Sequence, residues 1–127
     1  MLDHVTIGVS DFGRACDFYD RALLPLGIAR LYTAAPDFAG YGAAPKAFFW
    51  IGVRPGMASS VETGAHVAFA AADRATVDRF YAAAIAAGGR DNGPPGVRPH
   101  YHAHYYGAFV LDPDGHNIEA VCRRAPA

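Results

Sequence analysis

The chain repeats itself. Displaced by 62 positions, the interval from His4 to His66, it matches itself without a gap: His4-Val5 falls on His66-Val67, Asp11 on Asp73, Phe18-Tyr19 on Phe80-Tyr81, Ala22 on Ala84 and Gly27 on Gly89. A period of that length in a chain of 127 residues means two copies of one supersecondary unit, and it restricts the fold to what two such units can build together.

The unit can be read from residue spacing. Residues 2–9 alternate, with Val5, Ile7 and Val9 on one face and His4, Thr6 and Gly8 on the other, which is a strand. Asp11 is placed to cap a helix whose apolar stripe is Ala15, Phe18, Tyr19, Ala22 and Leu23, and Pro25 with Gly27 ends it. The second copy follows the same plan: Val67, Phe69 and Ala71 alternate with His66, Ala68 and Ala70; Asp73 caps; Val77, Phe80, Tyr81, Ala84 and Ile85 form the stripe; Gly88-Gly89 closes it. Three further strands are predicted after each helix, at 28–33, 38–43 and 46–53 in the first module and at 89–92, 104–112 and 116–122 in the second. Asp112-Pro113-Asp114-Gly115 is the turn between the last two. The expected fold is α+β: two βαβββ modules, 1–55 and 64–123 joined by a connector at 56–63, forming a curved mixed sheet around a cleft with the helices on its outer face.

Several function classes are excluded by composition. A chain with 52% hydrophobic and 18% charged residues is globular, and a net charge of −1 provides no basic field for nucleic acid. The apolar runs fall far short of the roughly 20 residues of a membrane span, and the N-terminus has no signal-like segment, so a cytoplasmic protein is expected, with no membrane partner. Cys16 and Cys122 are too few for a disulfide framework and read as small core residues.

Parity points to a metal. Each helix must cover its own sheet, so the strand residues beneath it are core and their neighbours face away. His4 and His66 then lie on helix-free faces, and with Ile118, Ala120 and Cys122 as core, so does Glu119. Two imidazoles and one carboxylate with open positions suit a divalent cation that also holds substrate. A single histidine on a strand is more often an ordinary polar residue; its recurrence at the same point of both modules gives the ligand reading its weight.

These residues, together with Asp17-Phe18-Tyr19 and the closing run Asp112-Pro113-Asp114-Gly115-His116-Asn117-Ile118-Glu119, resemble the vicinal-oxygen-chelate superfamily of glyoxalases, bleomycin-resistance proteins and extradiol dioxygenases. The resemblance spans nearly the whole chain. It implies a cleft metal held by the first and last strands of each module, and His4, His66 and Glu119 match three of those four positions. At the fourth stands Trp50, where glyoxalase I-like members carry a carboxylate or amide, and Gly8 stands near where they often carry an arginine for glutathione. The remaining set is similar to the two-His-one-Glu site of the dioxygenases, although Phe109 occupies roughly the position where those tend to carry a tyrosine. The leading expectation is a glyoxalase-like lyase or isomerase dependent on one divalent ion (zinc, nickel, iron(II) or manganese). The alternatives are a ring-cleaving dioxygenase and a ligand-sequestering protein that performs no chemistry. Relatives of this length commonly dimerise, sometimes sharing sites between copies, so a homodimer is expected.

The remaining candidates come from the second module's loop and from strand 46–53. If 100–106 is extended, His100, His102 and His104 share a face, and His100 and His102 become candidate proton-transfer groups; a solvated loop is the alternative. Phe48 and Trp50 are candidates for an apolar substrate wall, with core packing or a dimer contact as equal alternatives. Arg98 and Tyr106 complete the candidate substrate contacts, Arg98 as a partner for a carboxylate.

Overall fold

In the computed structural model, residues 1–53 and 65–126 are described. The first module runs β1 (Val5–Val9), α1 (Phe12–Ala22), a 3-10 turn (Leu24–Leu26), β2 (Ala29–Ala34), β3 (Phe38–Ala43) and β4 (Lys46–Val53). The second runs β5 (His66–Ala70), α2 (Arg74–Ala86), β6 (Arg90–Asp91), β7 (Gly96–Val97), β8 (Tyr106–Leu111) and β9 (Asn117–Cys122). The predicted connector at 56–63 lies outside the described residues. Both helices start as their sequences dictate: the Asp11 carboxylate accepts the backbone N–H of Arg14 at 2.9 Å, and Asp73 accepts that of Thr76 at 2.7 Å.

Each module folds its strands into its own mixed sheet, in the order β1-β4-β3-β2 and β5-β9-β8-β6, with short β7 added against β8. In both, the first strand pairs in parallel with the last, and the other ladders are antiparallel. The curved mixed sheet expected from the two modules is divided into one sheet per module, with β1 and β5 at sheet edges and no ladder between them. β1 is also shorter than predicted. Its ladder to β4 begins at Val5, opposite Phe49, so His4 stands just ahead of the strand.

One apolar core serves both modules. Phe18, Tyr19 and Ala22 of α1, Val77, Phe80 and Ala84 of α2, Phe49 and Ile51 of β4, and Ile118 and Ala120 of β9 belong to the same buried cluster. The two helices also touch each other. Ile85, placed on the α2 stripe by its spacing, lies at the exposed edge of that helix.

The Asp-Pro-Asp-Gly turn ties the modules together. The buried Asp112 carboxylate accepts the Tyr19 hydroxyl at 2.6 Å and the backbone N–H groups of Asp114 and His116 at 2.9 and 2.8 Å. Asp114 accepts both the backbone N–H and the hydroxyl of Ser10, and His116 donates Nε2–H to the Gly8 carbonyl at 2.6 Å. The four residues that read as a turn thus also anchor the end of β1 and the middle of α1.

Candidate metal centre

The helix-free face of the second sheet carries a cleft of about 560 Å³. His66 and Glu119 come from the neighbouring strands β5 and β9, in which His66 is registered opposite Asn117 and Ala68 opposite Glu119. Their side chains are therefore diagonal neighbours on one face. His66 Nε2 lies 3.2 Å from Glu119 Oε1.

Glu119 is buried, with only 1% of its side chain exposed. Its two oxygens are treated differently. Oε2 accepts a short hydrogen bond from the Tyr105 hydroxyl. Oε1 is buried and makes no hydrogen bond among the described residues, and this includes His66, whose approach lacks hydrogen-bond geometry. A buried carboxylate oxygen without a donor is costly, because its hydration has been removed and not replaced. A cation would replace it. Two ligands sharing a cation at bond lengths of about 2.0–2.2 Å stand about 3 Å apart, which matches this pair. The donor chemistry, one imidazole nitrogen and one carboxylate, suits a divalent first-row ion.

Tyr105 is built into this floor. It is buried, and its phenol is pushed up to about 12, first by burial and then by the bond to Glu119, so at neutral pH it is a proton donor. The Tyr101 ring meets it edge-on at 5.0 Å, and the Arg123 guanidinium lies 4.9 Å from its ring centre. Gly107 leaves the space they need, since a Cβ there would stand 3.0 Å from Glu119 Oε2 and 3.1 Å from the Tyr105 ring.

The other candidates fall into three groups. His100 reaches the cleft, its ring 4.1 Å from that of Tyr101. His4 does not join the pair. Its Nδ1 lies 2.7 Å from the Asp3 carboxylate, which also binds Lys46 at 2.8 Å, and its ring lines a separate groove with His66 and Phe48. Among the described residues no three His, Cys, Asp or Glu side chains come together as a metal site. Trp50 is on the first module's helix-free face, against Tyr32 and Phe38 and over Gly40, where a Cβ would collide with the indole at 2.7 Å.

Three residues stand away from the cleft. The segment 100–104 is a series of turns, not an extended strand, because Tyr101 and His102 N–H bond back to the Arg98 carbonyl. His102 is consequently exposed, and its Nδ1 accepts the His104 N–H. Tyr106 lies on the helix side of β8, where its hydroxyl donates to Asp78 at 2.6 Å. Arg98 donates to the Gly96 and Pro94 carbonyls and lies over Phe109, so it fastens its own loop.

Sequence reasoning did not single out Tyr105 within its His/Tyr stretch, and it overlooked Arg123. Strand parity carries the signal for Tyr105: with Ala108 and Val110 in the core, Tyr105, Gly107 and Phe109 take the Glu119 face. Arg123 follows the last strand, four residues after Glu119.

A doubled βαβββ fold with a buried carboxylate and an imidazole on the helix-free face defines a protein class of paired modules and cleft ligands. The chain belongs to the Glyoxalase/Bleomycin resistance protein/Dioxygenase superfamily, whose sequence profile matches residues 1–120. Its fold is similar to that of a glyoxalase/bleomycin resistance protein from Albidiferax ferrireducens T118, with 34% identity over 98% of this chain and 99% of that one and a TM-score of 0.81. A glyoxalase-related enzyme from Fulvimarina pelagi shares the fold at 22% identity, covering 96% of this chain and 87% of that one, TM-score 0.74. So does an E144Q mutant of glyoxalase I from Zea mays, at 24% identity over 94% of this chain and 46% of that longer one, TM-score 0.70. No curated protein matches the sequence. Members of the superfamily commonly bind a divalent metal.

Proposed function

We propose that this protein is a divalent-metal-dependent enzyme of glyoxalase-like lyase or isomerase type, acting on a small substrate that chelates through adjacent oxygens. The observation that carries the reading is Glu119 Oε1, buried without a hydrogen bond among the described residues and 3.2 Å from an imidazole nitrogen. His66 and Glu119 would hold the ion, with His4 as third ligand. A divalent ion bound there supplies a Lewis acid that stabilises charge developing on a substrate oxygen. The chain supplies the rest. Tyr105 fixes the carboxylate by occupying Oε2, Phe109 meets the His66 ring edge-on, and His100 offers an imidazole in the cleft lining for proton transfer.

The reading includes a homodimer. Among the described residues of one chain His4, His66 and Glu119 do not come together as a three-ligand site, β1 and β5 lie at sheet edges, and Tyr32, Phe38 and Trp50 form an aromatic face on the first module. A second copy that laid its first module over this cleft would bring His4 and that aromatic face to the substrate.

Metal titration against a chromophoric chelator tests the reading. Wild type is expected to bind nickel or zinc, with His66→Ala and Glu119→Gln each weakening affinity by about 100-fold; equal affinity in wild type and His66→Ala overturns it. Chemistry is then assigned by loading. Turnover of a thiol–ketoaldehyde adduct with nickel or zinc marks the lyase, and oxygen uptake with a catechol by anaerobically prepared iron protein marks a ring-cleaving dioxygenase. The separation of His4 from the other two ligands favours one rival, a sequestering protein of the bleomycin-resistance kind, which would bind its ligand equally well with and without metal.

A further inference from the structure

We infer that the substrate carries a carboxylate remote from its chelating oxygens, and that Arg123 receives it; the inference rests on the metal reading above and assigns the substrate's charge. Among the described residues, the cleft holding His66 and Glu119 contains one carboxylate, that of Glu119, and one permanent cation, Arg123. Glu119 is committed to the floor, with one oxygen on Tyr105 and the other facing His66. Among the described residues Arg123, like several other arginines, makes no ion pair with any carboxylate, but it is the one that lines this cleft. Nor is it tied to its own loop, as Arg98 is.

The Arg123 guanidinium instead lies over the Tyr105 ring, 4.9 Å from its centre. The ring that ties Glu119 therefore also carries the arginine on its face. A guanidinium on an aromatic face keeps its N–H edge free, and that edge matches a carboxylate through two parallel hydrogen bonds. With a divalent ion between His66 and Glu119, the cleft has a net positive charge, which favours an anion over a neutral ligand. Asn117 lines the same cleft and offers a neutral amide beside the charged groups.

The test compares two probes with the same chelating head. 2-Oxoglutarate has a distal carboxylate and 2-oxobutyrate has none. Their affinities for nickel-loaded protein are measured by calorimetry in wild type, Arg123→Gln and Arg123→Lys, and nickel affinity is measured on the same samples. Wild type should prefer 2-oxoglutarate by about tenfold, as expected for a charge-assisted pair in a partly open cleft. Arg123→Gln should bind the two probes alike, Arg123→Lys should recover part of the preference, and nickel affinity should stay at the wild-type value throughout. Normal nickel affinity with no preference in wild type, or with a preference that survives Arg123→Gln, overturns this inference alone. Wild type without nickel affinity overturns it together with the metal reading.

Discussion

Glu119 is hydrogen-bonded through Oε2, while Oε1 faces His66 and accepts no hydrogen bond among the described residues, and that asymmetry is what a ligand-binding carboxylate requires. Removing the tyrosine hydroxyl tests it. Tyr105→Phe keeps the ring that Tyr101 and Arg123 pack on but frees Oε2, so the carboxylate is no longer fixed toward His66. Nickel affinity should fall by about 10- to 100-fold, the usual cost of losing an outer-shell partner, while far-UV circular dichroism stays unchanged; undiminished affinity would show that Tyr105 does not orient the ligand. Asp112 presents a buried carboxylate of the opposite kind, fully bonded and structural. Burial raises its pKa above the ordinary value of 3.8, against the lowering pull of the Tyr19 hydroxyl and the His116 N–H. The folded state thus holds this proton more tightly than the unfolded chain does. Its contribution to stability is complete below the unfolded value and is lost as pH rises through the folded one. Asp112→Asn does not titrate, so the melting temperature of wild type minus that of the variant should decline as pH rises above the ordinary value of 3.8. A flat or rising difference contradicts this assignment. Tyr19→Phe leaves Asp112 Oδ2 without its hydroxyl donor and should cost about 1–3 kcal/mol in denaturant unfolding.

At the level of elements, what could be read from the sequence was whatever repeats with a short period. β3 and β4 fall at their predicted limits, and the five residues of the first helical stripe are all buried, because alternation and helical spacing are local consequences of covering one face. For the His/Tyr segment the same spacing left an extended strand and a loop open, and the structure has the loop. Alternating His100, His102 and His104 resemble a strand, but backbone bonds to Arg98 coil them into turns and delay β8 until Tyr106. That delay does not change the parity of β8, which is why Tyr106 faces α2 and Tyr105 the cleft. Side-chain partners such as Pro94 and Gly96 for Arg98 depend on a loop path that no periodicity encodes. The β3–β4 hairpin shows how tightly an element can be specified by one residue. Its register shifts between Tyr41 and Gly42, and a Cβ at Gly42 would stand 2.0 Å from the Lys46 carbonyl oxygen. Backbone cannot yield as a side chain can, so Gly42→Ala should destabilise the protein by about 3 kcal/mol in urea unfolding. A loss under about 0.5 kcal/mol, the range of neutral surface changes, would mean that the hairpin tolerates another register.

For the whole molecule, the repeat determines that there are two modules but not how their helix-free faces meet. That relation depends on long-range contacts: the shared core and the bonds from Tyr19, Ser10 and Gly8 to the last turn. They join the modules through their helix sides and the Asp112 turn, and among the described residues β1 and β5 stay at the edges of their sheets. Within one chain His66 and Glu119 meet and His4 does not, so the three-ligand proposal requires a second copy. If His4 comes from the partner, a dimer of His4→Ala with Glu119→Gln contains one site with both defects and one with neither. Each variant alone should bind nickel weakly. Mixed in equal amounts under conditions that exchange subunits, they should form hybrids in half of the dimers, and about a quarter of all sites should recover wild-type affinity. Sites built within one chain predict no recovery, because every site then keeps one of the two defects. Competition with a chromophoric chelator distinguishes the two outcomes, and sedimentation velocity on the same mixture establishes whether dimers are present. Dimers without recovered sites would place His4 outside the metal centre and leave His66 and Glu119 as its only ligands among the residues proposed here.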